Sequence, residues 1–154
     1  FNVYGPNEFH KGRMASVIFH AVHQINTTGK MKLFRSHKPE YRHGEQLRDF
    51  VYVKDVVEVL IFMKQEKHKS GLYNLGSGKS RTFNDLVNIT FSALGRESII
   101  SYIDIHQDIR DKYQYFTEAN MCKLKEVGYT KGFTTLENGV KDYVQSYLID
   151  RNYY

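Results

Sequence analysis

The chain has 154 residues, 41% of them hydrophobic and 25% charged, with a formal net charge of +5. That length fits one domain able to bury roughly 68–70% of its unfolded surface, and the composition excludes a disordered or fibrous chain. No apolar run approaches the ~18 residues of a membrane helix, and a single cysteine, Cys122, excludes an internal disulfide.

The 22 Lys and Arg are scattered rather than gathered into a basic run. The surplus charge therefore reads as a solvated surface with an anion pocket and not as a nucleic-acid footprint. Cys122 falls in a helical stretch and reads as a small packed apolar residue compatible with a reducing cytoplasm. No group with metal-ligand spacing is expected.

Phe1 to Tyr4 reads as a strand that stops at Gly5-Pro6, followed by a polar loop over Glu8–Met14. A chain that opens in mid-strand without an initiator Met reads as the second part of something larger. Met14, Val17, Ile18, Ala21, Val22 and Ile25 recur at helical spacing, which predicts an amphipathic helix from about Arg13 to Thr28, stopped by Gly29. Strands are predicted over Met31–Arg35 and Leu47–Val53, separated by a loop from Ser36 to Gln46 that carries Pro39 and Gly44. Asp55 precedes Val56–Met63, apolar nearly all round and so expected to be a buried helix, broken by Gly71. Leu72–Leu75 reads as a strand ending at Gly76-Ser77-Gly78.

A capping box at Thr82–Asp85 predicts a helix to Gly95, followed by a strand over Ile99–Ile103. Thr117 is expected to cap a short helix ending at Gly128, and Thr134 with Glu137 to form a second box for a last helix to about Asp150. Interleaved helices and short strands make the class α/β or α+β, with too few strands for a complete doubly wound sheet.

Four stretches hold residues suited to ligand chemistry. The Gly76-Ser77-Gly78 turn has Arg81 where a dinucleotide fingerprint has its third glycine, so it reads as a structural turn. Asn2, at a strand end, can donate to and accept from a sugar hydroxyl. His10-Lys11 sets an imidazole beside an ammonium, either an acid/base pair or ordinary loop charges. Arg48 could grip a diphosphate in bidentate fashion or pair with Asp49 at the surface. Tyr113, between elements, suits either stacking or a core rim, and a lone helical histidine such as His20 is commonly structural.

Together these pieces resemble one family. Phe1–Pro6, Arg48–Val56 and Tyr73–Gly78 are similar to the F-N-V-Y-G-P, R-D-F-V-Y-V-x-D-V and N-L-G-x-G stretches of the extended short-chain dehydrogenases/reductases, the NAD-dependent epimerase/dehydratase family. His10–Val17 with Phe19-His20, and Tyr113–Thr117 with Gly128-Tyr129, resemble more narrowly its ADP-L-glycero-D-manno-heptose 6-epimerase branch. The resemblance spans the chain but only the C-terminal half of the family's sequence. It implies a C-terminal substrate-binding part of an extended Rossmann-type fold with an incomplete sheet. Residues 1–154 would form that single domain, with the dinucleotide-binding domain, its Gly-rich turn and the family's Tyr-x-x-x-Lys pair upstream.

The resemblance further implies a cytoplasmic isomerase that makes the heptose donor for lipopolysaccharide, with NADP as cofactor and a homo-oligomeric, pentameric state. Inversion at C6 of ADP-heptose would pass through a transient ketone, and the isolated part would be inactive. It makes Asn2 a substrate contact, places Val3 and His10 against NADP, and puts Lys11 at an acid/base position. His20, Phe34, Arg35, Ser36, His37, Arg48 and Tyr113 fall where the family binds the ADP-heptose. Arg13 stands where relatives can carry a small serine that touches substrate, and the loop from His37 to Leu47 is longer than usual. Another nucleotide-sugar epimerase or dehydratase, and a non-catalytic basic binding module, are the competing readings.

Overall fold

The computed structural model describes residues 1–65 and 70–154. Strand β1 (Asn2–Tyr4) leads into a 3-10 segment, Phe9–Met14, and then helix α1 (Val17–Thr28). Strands β2 (Met31–Phe34) and β3 (Leu47–Tyr52) follow, and α2 (Val53–Gln65) starts directly from the end of β3. Beyond them lie β4 (Ser80–Thr82), α3 (Phe83–Ala93), β5 (Ile100–Ile103) and the single turn α4 (Gln107–Arg110). The short α5 (Cys122–Glu126) precedes α6 (Leu136–Tyr143), which continues as a π-helical turn over Val144–Leu148.

One sheet has the order β1-β3-β4, with β1 and β3 parallel (Asn2 opposite Phe50) and β4 antiparallel to β3. A second, two-stranded sheet pairs β2 with β5 in parallel, Met31 opposite Ile100. The architecture is thus the α/β class with a small incomplete sheet. Two of the three core clusters pack around α1 and α3. Tyr4, Ile18, Phe50, Leu86, Val140 and Tyr143 join the first sheet to α1, α3 and α6. Ala21, Ile25, Leu33 and Phe91 lay α1 and α3 on the second sheet. Each fully buried Leu, Ile, Val or Phe among these contributes about 1.5–3 kcal/mol.

Asp49 lies at 0% exposure in the middle of β3. Its carboxylate accepts Ser77 N–H at 2.7 Å, the Ser77 hydroxyl at 2.6 Å, and the Gly78 and Ala119 amides at 2.9 Å each. An ionised carboxylate taken out of water needs this many donors. The turn residue Gly76 is obligatory for the same reason: a Cβ there would lie 2.5 Å from Asp49 Oδ2.

Several expectations need correction. The stretch expected as an open polar loop over Glu8–Met14 is a 3-10 segment over Phe9–Met14, and α1 begins at Val17 rather than Arg13, because Ser16 Oγ accepts Phe19 N–H and caps it there. Met14, counted on the helix stripe, is 85% exposed. Helix α2 is not buried: only Asp55 and Val59 are, while Val57, Leu60 and Ile61 face outward at 48–60% exposure. Its expected stop at Gly71 follows residues 66–69, which lie outside the described residues. Leu72–Leu75 forms no strand, and β4 starts instead at Ser80. Thr117 caps no helix; its hydroxyl lies 3.5 Å from Asn2 Oδ1. The cap of α6 is Thr135, one residue after the expected Thr134, which is bonded to Asp55 through both N–H and hydroxyl. Cys122 is exposed rather than packed. The box at Thr82–Asp85 and the Gly29 stop stand as expected.

Replacing Asp49 by Ala leaves the partly buried amides of Ser77 and Gly78 and the buried amide of Ala119 without their acceptor. The expected loss is about 3 kcal/mol or more of stability, read as a lowered urea midpoint of the protein; an unchanged midpoint contradicts the role assigned to Asp49.

Candidate functional site

Two cavities share Val17, in the first turn of α1, as a wall residue. The smaller, about 310 Å³, lies beside β1 and is lined by Asn2, Val3, Glu8, Lys11 and Ser16. The larger, about 540 Å³, lies between α1, β2 and the approach to β3, with Arg13, His20, Phe34, Gln46, Phe83 and Tyr113 on its walls. Lys11 and Arg13, on either side of Gly12, line different cavities. With φ 51° and ψ −125°, Gly12 breaks the 3-10 segment, so Lys11 reaches one cavity and Arg13 the other. That left-handed conformation suits glycine.

The larger cavity is built from backbone as well as side chains. In the parallel ladder the amides of Met31 and Arg35 bond to β5, through Ile99 O and Ile103 O. Alternation turns the Lys32 and Phe34 backbone the other way. There Lys32 N–H donates to Gln24 Oε1 at 2.6 Å, and Gln46 Nε2–H donates to Phe34 O at 3.4 Å. The Lys32 carbonyl and the Phe34 amide remain on that edge as an acceptor and a donor side by side. Phe34 and Tyr113 meet edge to face, with centroids 6.1 Å apart.

Arg48 sits behind this wall rather than on it. It is 7% exposed, and its guanidinium donates to Leu47 O at 2.8 Å and to Gln114 O. It lies 5.4 Å from the Tyr113 ring centre and 5.7 Å from that of Phe83, both of which face the cavity. Burial lowers its pKa, the neighbouring Tyr113 opposing the shift, yet a guanidinium stays charged throughout the physiological range. Burial in turn raises the Tyr113 phenol, partly offset by Arg48. Tyr113 therefore presents a neutral hydroxyl and a ring face.

The other expected residues are distributed as follows. His20 is half-buried on the α1 face of the larger cavity, whereas His10 is exposed and lines neither of these two cavities. Arg35 is held by Asp104 at 3.5 Å and by the Tyr102 carbonyl. Ser36 and His37 shape the loop: Ser36 N–H donates to His43 Nδ1, His37 N–H donates to the Tyr115 hydroxyl at 3.0 Å, and Ile105 N–H donates to His37 Nε2. The structure thus gathers Asn2, Val3 and Lys11 in one cavity and His20, Phe34 and Tyr113 in the next. Sequence reasoning missed Gln24, Gln46 and Phe83 as wall residues; only the pairing of Gln24 to the edge of β2 could reveal them, and that is a tertiary contact. It also missed Glu8, whose place in a polar run resembles any solvated carboxylate.

A third cavity is larger still, about 620 Å³, but holds none of the expected residues. Two of its cations are already neutralised: Arg81 by Asp85 and Glu137, and Lys131 by Glu58.

The parallel β1-β3 pair with cavities at its edge is an α/β arrangement, and the chain belongs to the NAD dependent epimerase/dehydratase family. The model of that family matches residues 1–76. The chain is 51% identical to ADP-L-glycero-D-manno-heptose-6-epimerase of Fusobacterium nucleatum, over 100% of its own length and 48% of that protein. It is 54% identical to the enzyme of the same name from Nitratidesulfovibrio vulgaris, over 96% of its length and 46% of the relative. Among solved structures, the Helicobacter pylori ADP-L-glycero-D-manno-heptose-6-epimerase superimposes with a TM-score of 0.78 at 33% identity, covering 95% of this chain and 42% of that one. A UDP-N-acetylglucosamine 4-epimerase from Methanobrevibacter ruminantium shares the fold with the same TM-score at 23% identity, covering 97% of this chain and 44% of its own. The chain spans about half the length of the curated relatives it matches, their C-terminal half.

Tyr115→Phe removes the hydroxyl that holds the His37 amide and is expected to cost about 1 kcal/mol. Hydrogen exchange in the 36–46 loop should quicken while that of α1 and α3 does not; unchanged loop protection contradicts this anchoring.

Proposed function

We propose that this chain is the substrate-binding half of an NADP-dependent isomerase that inverts C6 of ADP-D-glycero-D-manno-heptose through a transient ketone. The observation that carries the reading is the adjacency of two cavities that share Val17 as a wall, one with a lysine and a strand-end asparagine, the other with aromatic walls. It is supported by similarity along 96–100% of this chain, and 46–48% of each relative, to proteins bearing the heptose-epimerase name.

In this reading the nucleotide occupies the larger cavity. Phe34 and Tyr113 offer ring faces for a base, and the Lys32 carbonyl beside the Phe34 amide offers an acceptor and a donor to its polar edge. Arg13, the arginine on the cavity wall, supplies charge for the diphosphate. Arg48 acts from behind by fixing Tyr113 and Phe83 and by adding positive potential. His20 lines the larger cavity, and the heptose extends from there towards the smaller one. Arg35, Ser36 and His37 shape the entrance.

The smaller cavity fits a nicotinamide group: Val3, 41% exposed between Asn2 and Lys11, presents an apolar surface edged by polar atoms. Val3 and His10 would hold NADP. When bound, it supplies a hydride acceptor at C6 that becomes the hydride donor on return. Asn2 orients the sugar hydroxyls. Lys11 moves the proton of the C6 oxygen on the face it reaches, because inversion demands acid/base help on both faces. The open edge of β1 and the outward apolar face of α2 (Val57, Leu60, Ile61) are where we place the dinucleotide-binding half, without which residues 1–154 are inactive.

Two substitutions in the full-length enzyme test this. Lys11→Ala is expected to lower turnover of ADP-heptose at least ~100-fold; undiminished turnover removes Lys11 from the chemistry. Phe34→Ala should weaken ADP-sugar binding by about 1–3 kcal/mol in calorimetry. Unchanged affinity, or a preference for UDP- over ADP-sugars in the unmodified protein, contradicts the assignment of the larger cavity.

A further inference from the structure

Glu8 is a charged side chain that the fold hides almost completely, at 2% exposure. Its Oε2 accepts Ser16 N–H at 2.8 Å, and its Oε1 accepts the Ser16 hydroxyl at 2.6 Å and the Tyr143 hydroxyl at 2.9 Å. Burial and the nearby Glu8 charge both push the Tyr143 phenol up, so this donor keeps its proton. Three neutral donors from α1 and α6 hold the carboxylate still. Its remaining contact is Lys11 Nζ at 3.7 Å.

Local geometry makes that contact. Residues i and i+3 eclipse in a 3-10 turn, and Lys11 N–H closes the turn on Glu8 O at 2.9 Å. The Lys11 side chain is 42% exposed and lines the smaller cavity with Asn2 and Val3. Ser16 Oγ, while donating to Glu8, also accepts Phe19 N–H at 3.3 Å and starts α1, the helix that carries Val17 and His20.

We infer that Glu8 is a positioning residue that holds the Lys11 ammonium in register with the walls of both cavities. The inference rests on the reading of Lys11 as an acid/base group. A lysine stem has four rotatable carbons. An immobile carboxylate at its tip removes that freedom before substrate arrives, and orientation of this kind is worth large factors in rate. Because the same carboxylate fixes the first turn of α1, Lys11 and His20 are referenced to one point.

The test is a double-mutant cycle in the full-length enzyme, with kcat and KM for ADP-heptose measured separately. Glu8→Gln keeps the volume and removes the charge. It is expected to lower kcat about 10–100-fold with KM little changed, and to have no further effect in a Lys11→Ala background. Tyr143→Phe, which removes one of the three donors but not the ion pair, should lower kcat by less than Glu8→Gln does. The inference is overturned if Glu8→Gln leaves kcat intact, if it costs the same factor with and without Lys11, or if Tyr143→Phe costs as much. Full turnover in Lys11→Ala alone overturns instead the underlying reading of Lys11, and with it any positioning role for Glu8; thermal unfolding of each variant separates all of these from loss of fold.

Discussion

The buried carboxylate of Asp49 is the constraint on which the rest of this structure depends. An anion at 0% exposure persists only if the chain brings donors to it, and here they come from two distant segments, the 77–78 turn and Ala119. Gathering them draws the Gly76–Gly78 turn under β3 and lays residues 115–119 along its other flank, where Leu47 N–H donates to Tyr115 O and Thr117 N–H to Leu47 O. Tyr113 and Tyr115 are placed by that same segment. One cavity wall and the anchor of the 36–46 loop therefore follow from a residue that touches neither cavity.

Function is carried by what this frame leaves open. Gly12 sends consecutive polar side chains to different cavities, and the alternation of β2 leaves an acceptor and a donor on the edge away from β5. Glu8 repeats, at smaller scale, the device of Asp49: a hidden carboxylate that recruits donors from separate elements and thereby fixes their relative positions. Charge in this protein is spent on geometry inside and is left unpaired where an anionic ligand would arrive, as at Arg13.

Much of the fold was legible because it is local. The stripe of Ile18, Ala21, Val22 and Ile25, the glycine at 29 and the Thr82–Asp85 box each act within a few residues and appear where expected. Errors arose where partners decide. Periodicity cannot tell an apolar helix face that is covered from one that is not, so α2 read as buried although Leu60 is 60% exposed. Leu72–Leu75 has strand-like residues but no ladder among the described residues, and Thr134 lost the α6 cap because Asp55 engages it. Residue chemistry left Asn2, Lys11, His20 and Tyr113 open between ligand and structural readings, and only the family resemblance singled out Phe34; the structure places all five on cavity walls. Spacing alone left Arg48 undecided between a ligand and a surface pair with Asp49; the surface pair does not form, because both side chains are buried and point to different partners.

The most direct measurement is a crystal structure of the full-length protein with NADP and an ADP-sugar bound. The account predicts the base against Phe34 and Tyr113, the diphosphate within reach of Arg13, and the sugar C6 oxygen within hydrogen-bond distance of Lys11 Nζ. A nucleotide sugar seated instead in the Lys79–Glu137 cleft, or a sugar remote from Lys11, would contradict it.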